Sequence, residues 1–178
     1  MSDRQNSQPA TVSVAEAVAQ IGIAVERLAM LHYHYARRIV EELGEERGRK
    51  LISDAIAAYG REIGERHRRK TMEAGVAASV ENYKTLPDLP TLAWTEEFKP
   101  VRSVAGRPMP ICPLAAYWMD VGAESLGRLY CYVDQAKYAA FDPECECRHL
   151  KNVLDGDEGC QIVAKKRWEW EELDRRNG

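Results

Sequence analysis

VSVAEAVAQIGIAVERLAMLHYHYARRIVEELGEERGRK, residues 12–50, is the stretch on which the fold class turns. Val14, Val18, Ile21, Val25, Leu28, Tyr35 and Ile39 recur at helical spacing and draw an apolar stripe down one face of a helix from Val12 to Leu43. His32 stands in that series where an apolar residue is expected. Gly44 ends the helix, as a glycine beyond the last turn does. A second helix then runs from Glu45 to about Glu73, with Ile52, Ala55, Ile56, Tyr59 and Ile63 on its apolar face. Glu45 and Glu46 suit its positive end, and the cluster from Arg66 to Lys70 suits its negative end. The short connection predicts an antiparallel helical hairpin. Gly60 and Gly64 either weaken the second helix or admit a close neighbour.

Outward from this hairpin the pattern changes. Val76 to Leu86 reads as a short helix stopped by Pro87 and Pro90, and Glu97 to Val104 as a strand. Pro113 opens a helix carrying Leu114, Tyr117 and Trp118, which Gly122 ends. A further helix spans Glu124 to Phe141 and stops at Asp142-Pro143. Arg148 to Leu154 and Cys160 to Trp168 read as two strands around the turn Asp155-Gly156-Asp157-Glu158-Gly159. The expected class is α+β: an N-terminal helical hairpin packed with further helices on a small antiparallel sheet that ends in a C-terminal β-hairpin. Residues 1–11 are expected to be a disordered tail, 12–168 one domain, and 169–178 a charged tail that frays.

Composition narrows the function classes. The chain has 178 residues, 45% hydrophobic and 30% charged, with net charge −3, so no basic field recruits nucleic acid. No apolar run approaches the roughly 18 residues of a membrane helix, and the polar start is unlike an export signal. A cytoplasmic protein is expected. The absence of a phosphate loop and of a dinucleotide fingerprint predicts no cofactor. Five cysteines, an odd number, all in the C-terminal third, argue for thiols over a disulfide framework.

Candidate chemistry gathers around those thiols. Cys112 precedes Pro113 and so falls at a helix N-cap, where the dipole and free N–H groups favour a thiolate and can hold an oxyanion; the alternative is a buried structural thiol. Cys131 and Asp134 share a helix face, and a carboxylate there suits the paired nitrogens of an amidine, or is simply solvated beside a core thiol. Cys145, Cys147 and His149 alternate onto one side of a strand and resemble part of a metal-ligand set, without the Cys-x2-Cys knuckle or fourth ligand of structural zinc. His32 is either a satisfied core histidine or a general base, with His149 its rival. Tyr59 and Trp118 are either core or pocket lining.

Taken in order, His34-Tyr35-Ala36-Arg37, Tyr59-Gly60-Arg61-Glu62, Cys112 before a Trp-bearing helix, Cys131-Tyr132-Val133-Asp134, Phe141-Asp142-Pro143, and Leu154-Asp155-Gly156-Asp157 with Cys160 resemble the L-2-amino-thiazoline-4-carboxylic acid hydrolase family. The resemblance spans about Ala15 to Lys166. It implies a ring-opening hydrolase in which water or an enzyme nucleophile attacks the carbon of a cyclic amidine. On the reading of the residues, Cys112, ahead of Cys131, is the nucleophile, His32 or His149 moves protons, and Asp134, Tyr59 and Trp118 meet the substrate. The closing glycine turn and cysteine are also similar to sensor domains of the 4-vinyl reductase type, which implies ligand binding without turnover. The expected partner is a small-molecule substrate, and the length of the first apolar stripe admits a homodimer or higher homo-oligomer.

Overall fold

The computed structural model describes residues 11–83 and 112–177 of the chain. The strand expected from Glu97 to Val104, the end of the helix expected from Val76, and nearly all of the N-terminal tail lie outside the described residues.

Helix α1 (Val14–Leu43) starts at Ser13, whose hydroxyl accepts from Glu16 N at 3.2 Å, and stops at Gly44, φ +78°. Helix α2 (Glu45–Glu73) follows after Gly44 alone, so the expected hairpin is present. Its acid-rich start and basic end fall where the macrodipole wants them. The buried stripe of α1 is Val18, Gly22, Val25, Ala29 and Ala36, whereas Tyr35 is 66% exposed. A seven-residue step drifts by about 20° on a straight helix, so the expected stripe slides off the core by Tyr35 and its place falls to Ala36.

Short helices complete the helical layer: α3 (Val80–Tyr83), α4 (Pro113–Asp120), α5 (Glu124–Tyr130) and α6 (Val133–Phe141). Helix α6 lies along α2 at the two glycines. A Cβ on Gly60 would stand 2.6 Å from the Val133 carbonyl oxygen, and one on Gly64 would stand 2.2 Å from that of Lys137. Of the two readings of these glycines, close approach is the one realised. Helix α4 docks on α1 through Trp118, whose Nε1 donates to the Ala29 carbonyl at 3.0 Å and whose ring lies against Gly127 of α5.

One helix was expected from Glu124 to Phe141; there are two, α5 and α6, jointed at Cys131-Tyr132. Tight i to i−3 hydrogen bonds, Cys131 N to Arg128 O and Asp134 N to Cys131 O, mark the joint. Its cause is tertiary. The α5 segment packs on Trp118 and the α6 segment on the α2 glycines, and one straight rod cannot meet both.

Strand β1 (Cys145–Lys151) pairs antiparallel with β2 (Gln161–Lys166), Cys147 opposite Ala164 and His149 opposite Ile162, with a register irregularity between His149 and Lys151. This is the expected α+β class with its C-terminal hairpin, but both strands differ in extent from the expected ones. The connection opens with a 3-10 turn at Val153–Asp155 and a left-handed Gly156, φ +100°. Trp168 belongs to no strand. From Arg167 the chain forms α7 (Arg167–Asn177) where fraying was expected. Burial of Trp170 explains the order: its Nε1 donates to Glu146 O at 2.9 Å, and the Arg148 guanidinium lies 4.5 Å from its ring centre and pairs with Asp174 at 3.0 Å.

Two sequence motifs act as fasteners. Phe141 is fully buried, and Asp142 accepts from Val80 N, Glu144 N and Lys166 Nζ, joining α3, the start of β1 and β2. In the second motif, Asp157 accepts from Asn152 N at 2.7 Å and Asp155 accepts from Arg128 Nε at 2.8 Å, while Leu154 is buried in the core. No helix among the described residues is long and apolar enough to cross a membrane.

Candidate active site

The strand alternation from Cys145 carries Cys147 and His149 inward, and the His149 side chain is 2% exposed. Its Nε2 lies 3.2 Å from Asp134 Oδ2, and its Nδ1 lies 3.2 Å from Asn152 Nδ2. The buried amide of Asn152 fixes the protons. Its Oδ1 accepts from Leu154 N at 2.9 Å, so its NH2 faces His149 and donates to Nδ1. His149 therefore carries its proton on Nε2 and donates it to Asp134. The second oxygen of Asp134 takes Lys137 Nζ at 2.9 Å. Burial opposes the charge on Asp134, but the His149 hydrogen bond and the Lys137 charge outweigh it and hold the carboxyl below the usual range. Lys137 itself lies over the rings of Tyr83 and Tyr138, at 5.7 and 5.5 Å.

At the other end of this chain of bonds stands Cys131. Burial pushes its thiol up to about 12, partly offset by a hydrogen bond from the Asn152 side chain. Cys112 is close enough for its charge to bear on Cys131, and both pack against the same core cluster. Cys112 is the N-cap residue of α4, with Pro113 at the first helical position, as its spacing predicts. None of the five cysteines forms a disulfide.

The tertiary structure thus links Cys131, Asp134 and His149 through Asn152, with Cys112 near Cys131; the four come from the α4 N-cap, the α5–α6 joint, α6 and β1. Asp134 was expected to receive amidine nitrogens; its two oxygens instead meet His149 and Lys137. His32 does not join the group. Its Nε2 donates to the Leu126 carbonyl at 3.0 Å, burial lowers its pKa, and it meets Trp118 and Tyr130 edge-on. Trp118, 1% exposed, is a core residue. Tyr59 is 42% exposed, and its hydroxyl is hydrogen-bonded to Tyr130. Cys145 and Cys147 are buried, with thiols raised by burial to about 11 and about 12. Among the described residues no group of three or more histidines, cysteines or carboxylates is placed to hold a metal ion. The depression at the α1–α2 turn, lined by Leu43, Gly44, Glu45, Glu46, Arg47 and Lys50, offers no nucleophile.

Asn152 and Lys137 were not singled out by the sequence. A lone Asn beside Val153 and Leu154 is a faint signal, because a polar residue inside an apolar run is either a turn or a buried partner. Asn152→Ala removes three hydrogen bonds at once, and we expect it to cost about 2 kcal/mol in urea unfolding. A loss under roughly 0.5 kcal/mol would show that the amide holds nothing in place. The depressed Asp134 makes a second expectation. A carboxyl lower in the folded than in the unfolded state contributes stability that is present above its unfolded value and is lost as pH falls through the folded one. Acid should therefore destabilise the wild type more than Asp134→Asn, seen as urea midpoints that converge only as pH falls below about 4, the ordinary aspartate range.

The sequence profile of the L-2-amino-thiazoline-4-carboxylic acid hydrolase family matches residues 23–163, a span that contains the whole hydrogen-bonded group. Neither the comparison with curated proteins nor that with solved structures gives a match. The matched span covers most of the chain, and the protein belongs to the L-2-amino-thiazoline-4-carboxylic acid hydrolase family.

Proposed function

We infer that the protein hydrolyses a small cyclic amidine, opening its ring, with Cys112 as nucleophile. One observation carries this reading: the line Cys131–Asn152–His149–Asp134–Lys137 ends beside the helix N-cap that bears Cys112. The N–H groups at the start of α4 favour negative charge on sulfur and on the nitrogen of an adduct. Cys131, raised to about 12, is the poorer nucleophile of the two and serves better as a neutral wall of the site.

In the reaction the Cys112 sulfur attacks the amidine carbon, and the C=N electron pair moves to nitrogen, which takes a proton. The bond from that carbon to a ring heteroatom breaks, and the departing atom takes a second proton. Water then attacks the same carbon and expels the thiolate, leaving a carbonyl; the net change is addition of one water. In this scheme His149, hydrogen-bonded to Asp134, moves these protons once Asn152 yields Nδ1. Asp134 acts here by orienting His149.

A second reading is favoured by the same bonds, since both ring nitrogens of His149 have partners: a binding domain that holds such a ligand without turnover. Incubation with 2-amino-thiazoline-4-carboxylate, followed by mass spectrometry, separates the two. Ring-opened product one water heavier supports hydrolysis. Ligand recovered unchanged from the protein supports binding alone.

A further inference from the structure

The Asp134 carboxylate has two partners inside the fold. Its Oδ2 takes His149 Nε2 at 3.2 Å and its Oδ1 takes Lys137 Nζ at 2.9 Å, with the two partner side chains 2% and 10% exposed. A buried carboxylate that met the imidazole alone would draw a proton onto it, because an uncompensated charge in the interior is costly. The hydrogen bonds leave that proton no place. The remaining ring nitrogen, Nδ1, faces the Asn152 NH2, and Asn152 Oδ1 is committed to Leu154 N. A protonated Nδ1 would set two donors against each other. The positive charge comes from Lys137 instead, whose ammonium lies over the rings of Tyr83 and Tyr138, faces that favour a cation.

The other titratable groups around His149 and Asp134 do not take over this role. Cys131, at the α5–α6 joint, and Cys147, on β1, are raised by burial to about 12 and stay protonated at neutral pH. Burial also raises Tyr130 of α5, which is hydrogen-bonded to Tyr59 of α2. Arg128 bears on Cys131 but pairs with Asp155. Ile162, opposite His149 on β2, carries no charge. We propose that Lys137 is a positioning residue that acts through charge: it satisfies Asp134, so that His149 stays an uncharged imidazole able to take a proton at Nδ1 when water attacks the adduct. The use of that proton rests on the functional reading above. The charge state rests on the hydrogen bonds alone.

The test removes the charge and keeps a hydrogen-bonding group: Lys137→Gln, with Lys137→Arg as the conservative control. The full chain is labelled with 15N-histidine, His149 is assigned by comparison with His149→Gln, and thermal melts confirm each fold. At pH 7 the wild type should show an unequal pair of ring nitrogens, Nε2 protonated and Nδ1 bare. Lys137→Gln should show the equal pair of an imidazolium, and Lys137→Arg should return the wild-type pattern. If Lys137→Gln does not fold, Lys137→Met takes its place with the same expectation. The pH profile of ring opening gives a second readout. Lys137→Gln should lose about 10-fold or more in rate at pH 7 and recover it toward pH 9, the scale on which a neighbouring charge moves a titration. A merely structural role would lower the rate at every pH. An imidazolium in wild type, or an unequal pair in the folded uncharged variant, overturns the assignment. Ring opening by a wild type that shows an imidazolium sinks only this proposal. The expected spectra without any turnover sink only the catalytic reading.

Discussion

Gly64→Ala should lower stability by about 2 kcal/mol, although alanine is the better helix former by about 1 kcal/mol. The sign is set by contact. The new Cβ would stand 2.2 Å from the Lys137 carbonyl oxygen and 2.8 Å from Ala140 Cβ, so α2 and α6 must separate. Neither neighbour can give way as a flexible side chain does; one is backbone and the other a methyl carried directly on it. Gly64→Leu enlarges the clash and should cost at least about 4 kcal/mol, enough to leave much of a marginally stable domain unfolded. Urea unfolding followed by circular dichroism measures both. An alanine variant as stable as wild type would mean that the close crossing of α2 and α6 is wrong. The consequence reaches function, since α6 carries Asp134 and Lys137. Spreading the helices should displace the carboxylate that orients His149, and turnover should fall further than the unfolded fraction accounts for.

On the proposed covalent route, Cys112→Ala should reduce ring opening by about 1,000-fold or more, because that route has no substitute sulfur at the α4 N-cap. Cys131→Ala should cost far less in rate. Its thiol is raised to about 12 and stays protonated at neutral pH, so its removal takes away packing and one hydrogen bond from Asn152. The pair of variants makes the assignment testable in one assay. Loss on Cys131→Ala with activity retained by Cys112→Ala would exchange their roles. Turnover surviving in both single variants and in the double variant would leave water as the attacking group, with no covalent adduct.

The period of the first 43 residues, the glycine at 44 and the acid-rich restart that follows were enough to specify the helical hairpin, because those signals are local. Cys112-Pro113 specified its own N-cap for the same reason. The motif Leu154-Asp155-Gly156-Asp157 could be recognised, but not its work, which is to grip Asn152 and Arg128 from a distance. Nor could the joint at Cys131-Tyr132 be read: no proline or glycine marks it, and it exists because α5 and α6 dock on different partners. The charged residues after Arg167 looked unable to order, yet one tryptophan, seated by a carbonyl and a guanidinium from β1, holds them in a helix. By itself the sequence determined the helical hairpin, the helix start at Cys112-Pro113 and which residues carry reactive groups. Only the tertiary structure decided that His149 meets Asp134 and Asn152 while His32 meets a backbone carbonyl, because hydrogen-bond partners 15 or 94 residues apart are chosen by packing and leave no periodic trace.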